Sequence, residues 1–258
     1  MMRRLVIAAL AAASLALGLG HGAPARAAEG APSLPRVDWS FSGPFGTFDR
    51  AAAQRGFQVY KEVCAACHSL SQLSYRNLMQ LGLTEDEVKA IAAGYQIQDG
   101  PNDSGEMFER PGRPSDRFHS PFPNEQAARA GNNGALPPDL SVIVKAREGG
   151  ADYIHGLLTG YSDPPAGVTV MDGMQYNAYF PGHQIAMAPP LSDDRVTYTD
   201  GTAATLDQLA RDVTTFLAWA AEPELEVRRA MGVRIILFLL VLTVLTYMVK
   251  RKLWSRLH

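Results

Sequence analysis

Two cysteines separated by two residues and followed at once by a histidine, Cys64-Ala65-Ala66-Cys67-His68, constrain this chain more than any other feature, and they are the only cysteines in its 258 residues. The spacing is that of c-type haem attachment. One helical turn presents both sulfurs to the two vinyl groups on one porphyrin edge, and the next residue points an imidazole at the iron. Two rival chemistries fit less well. A zinc site needs four ligands, and no second cysteine pair completes one. A thioredoxin-like dithiol follows a strand in a βαβ unit and has no use for a histidine in the next position.

The ends of the chain predict its topology. Arg3-Arg4, an apolar run over residues 5–19 and Ala25-Arg26-Ala27 form a secretory signal with a small-residue cleavage site, so residues 1–27 are expected to be removed. The run is short for an uncleaved membrane anchor. A second apolar stretch covers residues 231–249, which as helix extends about 28 Å, one hydrocarbon thickness. Arg234 can snorkel to the interface, and Lys250, Arg251, Lys252 and Arg256 mark the inner face. The expected order is a signal peptide (1–27), a periplasmic haem domain (28–228), a transmembrane helix (229–250) and a short cytoplasmic tail (251–258).

Separated in this way, the charge becomes informative. Over residues 28–222, 14 lysines and arginines stand against 24 aspartates and glutamates, a net charge of −10 that the whole-chain value of −2 conceals. Such a charge argues against nucleic acid or anionic lipid as a partner and favours a basic protein.

Within it the pattern predicts a mainly α domain with long irregular loops. Residues 48–68 read as helical up to the cysteine motif, with Gly56, Val59, Tyr60 and Val63 near one face and Gly56 small enough for a second helix to cross closely. The expected partner is 206–220, opened by Thr205 with Gln208 as a capping box and stopped before Pro223. Residues 84–93, with Thr84 and Glu87 as a capping box, predict a further helix, and 139–148 another. A turn or two is expected over 152–158. Residues 99–102 and 110–114 read as ordered loops, and strand signals are weak throughout.

A haem held by His68 alone would leave one iron face open, whereas a sulfur or nitrogen on that face makes an electron carrier. Met79, Met107, Met171 and Met174 lie in segments without ligand character. Met187 lies in Gly182-His183-Gln184-Ile185-Ala186-Met187-Ala188-Pro189-Pro190-Leu191, where small neighbours admit a porphyrin and two prolines stiffen the backbone. Met187 is favoured. His183, His119, His155 and an open site remain alternatives, because a methionine is more often core filler than ligand.

Beyond the cysteine motif, the runs Asp99-Gly100-Pro101-Asn102, Asn132-Asn133-Gly134-Ala135-Leu136-Pro137-Pro138-Asp139-Leu140, Leu158-Thr159-Gly160-Tyr161, Tyr179-Phe180-Pro181-Gly182, Met187-Ala188-Pro189-Pro190 and Phe216-Leu217-Ala218-Trp219-Ala220-Ala221-Glu222-Pro223 closely resemble the cytochrome c1 family over nearly the whole mature sequence. The resemblance implies one covalent haem c attached at Cys64 and Cys67, His68 and Met187 as axial ligands, Arg129 on a haem propionate, and apolar wall from Leu136-Pro137-Pro138. It also implies a redox subunit of ubiquinol-cytochrome c reductase, the cytochrome bc1 complex, in a bacterial inner membrane. This chain would be no enzyme by itself. It would take an electron from the Rieske iron-sulfur protein and pass it to a cytochrome c, beside cytochrome b, in a dimeric complex with no role for nucleic acid. Some bacterial members brace the distal part of the domain with a further disulfide. No cysteine remains for one here, so the Met187 loop must be held by packing. A haem subunit of a periplasmic dehydrogenase shares the motif and the anchor, and a gas-binding cytochrome would need the open iron face.

Overall fold

The computed structural model describes residues 33–255. The expected signal peptide, and Arg256 in the tail, lie outside them. The described chain is mostly helical, with two short ladders and long loops.

Helix α1, Arg50–Glu62, begins where the Asp49 carboxylate accepts from the Ala52 amide at 3.1 Å. It buries Ala52, Ala53, Gly56, Phe57, Val59 and Tyr60 and runs directly into a 3₁₀ turn, Cys64–Ala66. The helix therefore stops one turn short of His68. A second 3₁₀ segment, Tyr75–Leu81, leads to helix α2, Glu85–Ala93, whose Thr84 and Glu87 form the expected reciprocal capping box. Two strands follow, β1 (Gln96–Asp99) and β2 (Phe108–Pro111), paired antiparallel. Parts of both segments read as loops from sequence are thus strand ends: Asp99 closes β1 and Arg110 lies in β2, where its guanidinium pairs with Asp99 and Asp116.

Short helix α3, Glu125–Gly131, is capped by Asn124, whose side chain accepts from the Ala127 amide at 2.8 Å. The helix expected over 139–148 is absent, and consecutive turns take its place. Val142, Ile143 and Val144 are β-branched, the Asp139 carboxylate takes the Ser141 amide at 2.8 Å, and Gly149 and Gly150 adopt left-handed φ of 85° and 55°. Helix α4, Gly150–Thr159, is longer than the turn or two expected. Its Asp152 accepts from the Trp39 indole at 2.7 Å and the Val37 amide at 3.2 Å, tying the N-terminal strap across it. Strands β3 (Gln175–Tyr176) and β4 (Gln184–Ile185) make a minimal ladder.

Helix α5, Leu206–Ala221, crosses α1 as the sequence predicts. Thr205 caps it, accepting from the Gln208 amide at 3.2 Å, but the reciprocal half of the box is missing because the Gln208 side chain donates to Asp212 instead. At the crossing, a Cβ on Gly56 would stand 1.9 Å from the Asp212 carbonyl oxygen and 2.7 Å from the Phe216 Cβ. Phe57, Tyr60 and Phe216 pack ring against ring there, with centroids 5.6 to 5.7 Å apart. Beside them Asp212, only 1% exposed, takes two hydrogen bonds from Arg55, at 2.8 and 3.0 Å.

Helix α6, Leu225–Trp254, is long and apolar enough to cross a membrane. It starts four residues before the expected span and is continuous through it. Thr243 and Thr246 return their hydroxyls to the Leu239 and Leu242 carbonyls at 2.7 and 2.9 Å, which satisfies both polar groups inside their own helix.

Because backbone lies far inside van der Waals contact of the missing Cβ, Gly56→Ala should force the helices apart and cost about 3 kcal/mol. Chemical denaturation of the variant checks this. Stability equal to that of the native chain would show that the crossing can slide.

Candidate functional site

The cysteine motif folds as one tight turn, in which the Cys67 and His68 amides both donate to the Cys64 carbonyl, at 3.1 and 2.9 Å. Cys64 is half-buried, Cys67 is exposed, and the two are not joined by a disulfide. Burial, with Cys67 nearby, pushes the Cys64 thiol up to about 12. A redox dithiol lowers its attacking thiol instead, so the environment disfavours that reading.

His68 is fixed from two sides. Its Nδ1 lies 2.8 Å from the Pro138 carbonyl oxygen, and a carbonyl can only accept. Nδ1 therefore carries the proton, and Nε2 keeps its lone pair for a metal. Burial also lowers the imidazole's pKa, against a smaller opposing effect from the Pro138 bond and Asp139, which favours the neutral form that ligates. On the other side, the Tyr60 hydroxyl donates to the His68 carbonyl at 3.0 Å. Burial first, then the nearby Cys64, raise the Tyr60 phenol far above its ordinary range, so it remains a donor.

The loop carrying Pro138 is itself clasped to the motif. The Asp139 carboxylate accepts from the Ser69 hydroxyl at 2.7 Å, the Ser71 amide at 2.8 Å and the Ser141 amide at 2.8 Å, and the Leu140 amide donates to the Ser69 carbonyl at 2.9 Å. Partial burial pushes the Asp139 carboxyl up, but the bonds from Ser141, Ser69 and Ser71 outweigh it and leave the group near a pKa of about 2.

Met187 sits half-buried on a separate loop. Its carbonyl accepts from the Tyr161 hydroxyl at 3.1 Å. Ahead of it, fully buried Asn177 organises the turn: its amide group donates to the Leu157 carbonyl at 2.8 Å, its side-chain oxygen accepts from the Tyr179 and Phe180 amides at 3.0 and 3.2 Å, and its backbone amide donates to the His183 carbonyl at 3.1 Å. Ile185 is buried just before the methionine. Among the described residues no hydrogen bond joins this loop to His68.

Arg129 is exposed at the end of α3 and donates to the Gly134 carbonyl at 3.2 Å, at the start of the loop that reaches Pro138. Of the alternative iron ligands, His155 is buried with Nε2 2.9 Å from Asp207, whereas His119 stacks on Tyr95 and His183 on Tyr176. Met79, Met107 and Met171 are exposed.

The structure thus brings together His68, Pro138 and Asp139, and it joins Tyr161 to Met187. Pro138, Tyr60, Asp139 and Tyr161 were missed as supports by sequence reasoning. Only Asp139, a short carboxylate after two prolines and before a serine two positions on, carries a local signal for such a turn.

A model described as the Cytochrome C1 family matches residues 39–257. Cytochrome c1 of Rhodospirillum rubrum is 48% identical over 98% of each chain. A Bradyrhizobium diazoefficiens protein named cytochrome b/c1 is 51% identical over 98% of this chain, which spans only 40% of that protein. The mitochondrial cytochrome c1 heme protein of Schizosaccharomyces pombe is 54% identical over 84% of this chain and 71% of its own.

The Asp139 clasp fixes a pH dependence. Its folded pKa lies below the value of about 3.9 in the unfolded chain, so its stabilisation is complete above about pH 4 and is lost as pH falls toward 2. For a partly exposed carboxylate this amounts to about 1–2 kcal/mol. Asp139→Asn should remove that part of the acid dependence, as measured by denaturation between pH 2 and pH 6. Parallel curves for variant and native chain would show that the clasp adds nothing.

Proposed function

Because the chain belongs to the cytochrome c1 family, whose members are haem-bearing electron-transfer subunits of the cytochrome bc1 complex, we propose that Cys64 and Cys67 hold its one haem c covalently, with His68 and Met187 as axial ligands and Arg129 on a propionate. The bond from His68 Nδ1 to Pro138 carries this reading, since it leaves Nε2, and only Nε2, free for iron. The residues fit the group in other respects too. Both thiols are unbonded, and the Met187 backbone is pinned by Tyr161 while its thioether remains available.

When bound, the haem would supply one-electron chemistry, at a potential that a methionine thioether ligand would raise. The chain contributes position, ligation and shielding from water. Pro138 fixes the imidazole plane and Tyr60 the His68 backbone, Tyr161 and Asn177 fix the methionine loop, and the guanidinium of Arg129 can fork onto a carboxylate.

We propose further that the chain takes its electron from the Rieske iron-sulfur protein and passes it to a cytochrome c, with α6 as its single anchor in a bacterial inner membrane. The acidic domain would then lie on the periplasmic side and the basic residues 250–252 inside, after removal of residues 1–27. Cytochrome b is the proposed neighbour in the membrane, in a dimeric complex, and the name cytochrome b/c1 of the Bradyrhizobium relative supports that pairing. A dehydrogenase haem subunit is the weaker reading, because family membership covers the loops as well as the cysteine motif.

Met187→Leu should keep the covalent haem and lower its potential by on the order of 100 mV or more, with loss of the weak red sulfur-to-iron band. Redox titration with an absorption spectrum reads both. An unchanged band would assign the ligand elsewhere.

Acceptor capture should be electrostatic. Among the acidic groups, Glu85 and Asp86 pair with Lys89, Asp99 pairs with Arg110, and Asp193 accepts from the Leu206 amide. Exposed Asp103, Glu106 and Glu109 have no basic partner among the described residues. Electron transfer to a basic cytochrome c should slow steeply as salt shortens the Debye length from about 10 Å at 0.1 M to about 3 Å at 1 M. Replacing these three carboxylates by lysine takes the domain from −10 to about −4 and should flatten that dependence. A salt-independent rate under encounter-limited conditions would rule out electrostatic steering.

A further inference from the structure

We propose that the loop 40–47 is a second membrane contact, a foot that seats Phe45 in the lipid interface beside the entry of α6. Three observations meet here. The loop is fastened to the base of the membrane helix, where one Arg229 nitrogen donates to both the Phe41 and Gly46 carbonyls, at 2.9 and 2.7 Å. Arg229 lies two residues, about 3 Å of helix rise, before Met231, where the apolar stretch begins, so the loop is fastened to the last turn ahead of the span.

The loop is also rigid. The Thr47 amide donates to the Ser40 carbonyl at 3.0 Å, and the Ser42 amide donates to the Trp39 carbonyl at 2.9 Å. Phe41 stacks between Trp39 and Phe48, at 5.5 and 5.2 Å, and Gly46 is so close to Ser42 that a Cβ would stand 2.1 Å from its carbonyl. A loop held this firmly could tuck its ring inward, yet Phe45 is 81% exposed, the most exposed large apolar side chain outside the span among the described residues.

Composition identifies the occupant. In a domain of net charge −10, the eight residues from Ser40 to Thr47 carry no charge at all, and the tip Gly43-Pro44-Phe45 offers only apolar or neutral surface. An uncharged aromatic tip beside a membrane entry suits the headgroup and upper acyl region, where aromatic residues gather. Lipid is therefore the partner, and a neighbouring protein subunit is the competing outcome.

The test uses the full haem-loaded chain, alone in phosphatidylcholine nanodiscs, with trifluoromethyl-phenylalanine placed at position 45, or at 238 in the middle of the span as reference. Fluorine resonances are recorded with a doxyl-labelled lipid and then with a water-soluble gadolinium chelate. Position 45 should lose its signal to the shallow doxyl lipid and keep it against the chelate. Loss to the chelate alone places the ring in water and overturns the foot. Protection from both places it against protein and equally overturns it. If position 238 is also untouched by doxyl lipid, the span reading itself fails, and the foot fails with it. Loss of the signal at 238 with none at 45 rejects only the foot.

Discussion

The contact on which the rest of the structure depends is the crossing of α1 and α5 at Gly56. Helix α1 ends at the cysteine motif, and α5 ends at Ala221, with three residues between it and the membrane helix. One backbone approach therefore fixes how the cofactor turn sits relative to the anchor. Apolar packing by Phe57, Tyr60 and Phe216 supplies the attraction, but apolar surfaces slide. The bidentate Arg55–Asp212 pair supplies register, since a buried carboxylate that accepts from Arg55 and Gln208 cannot shift by a turn without stranding its charge. Arg55 also reaches Asp200 at 3.0 Å, extending the lock to the loop that precedes α5.

The two proposed ligand loops are supported by different physics. The His68 side uses an ionised carboxylate, Asp139, that gathers a hydroxyl and two amides into one short clasp, strong because the acceptor is charged. The Met187 side uses a neutral hub, Asn177, whose oxygen and amide are both occupied in a fully buried position, together with one phenol on the methionine carbonyl. The second arrangement does the bracing expected of packing in a chain without a further disulfide. It is buried hydrogen bonding as much as packing, and a half-satisfied Asn177 would be costly enough to specify a single loop conformation.

What could be read from the sequence was what is local. The Thr84 to Glu87 capping box, the Thr205 cap and the Gly56 crossing depend on residues a few positions apart or on one missing side chain, and the structure shows all three. The expected helix over 139–148 failed because a polar side chain competed for the first amides while β-branched residues and two left-handed glycines weakened the alternative. Asp99 and Arg110 read as loop residues because their pairing spans a hairpin and leaves no periodic trace. The group that orients His68 is a backbone carbonyl, which every residue possesses, so no residue type could announce it. Tyr161 and Met187 stand 26 positions apart, and their contact exists only once β3 and β4 have closed the turn between them.

The anchor is part of the domain rather than a tail attached to it. Only Glu222, Pro223 and Glu224 separate α5 from α6, and the first turns of α6 carry side chains that reach back into the fold. Glu226 accepts from the Phe48 amide and the Arg50 guanidinium, both at 2.8 Å, at the start of the helix that ends in the cysteine motif. Arg228 and Lys145 both meet Glu222, so the junction is also tied to the turns that follow the Pro138 loop. A flexible linker would let the domain wander over the membrane surface. These contacts instead make the orientation of the cofactor turn a consequence of how α6 enters the bilayer, which suits the proposed delivery of an electron by a partner held in the same membrane.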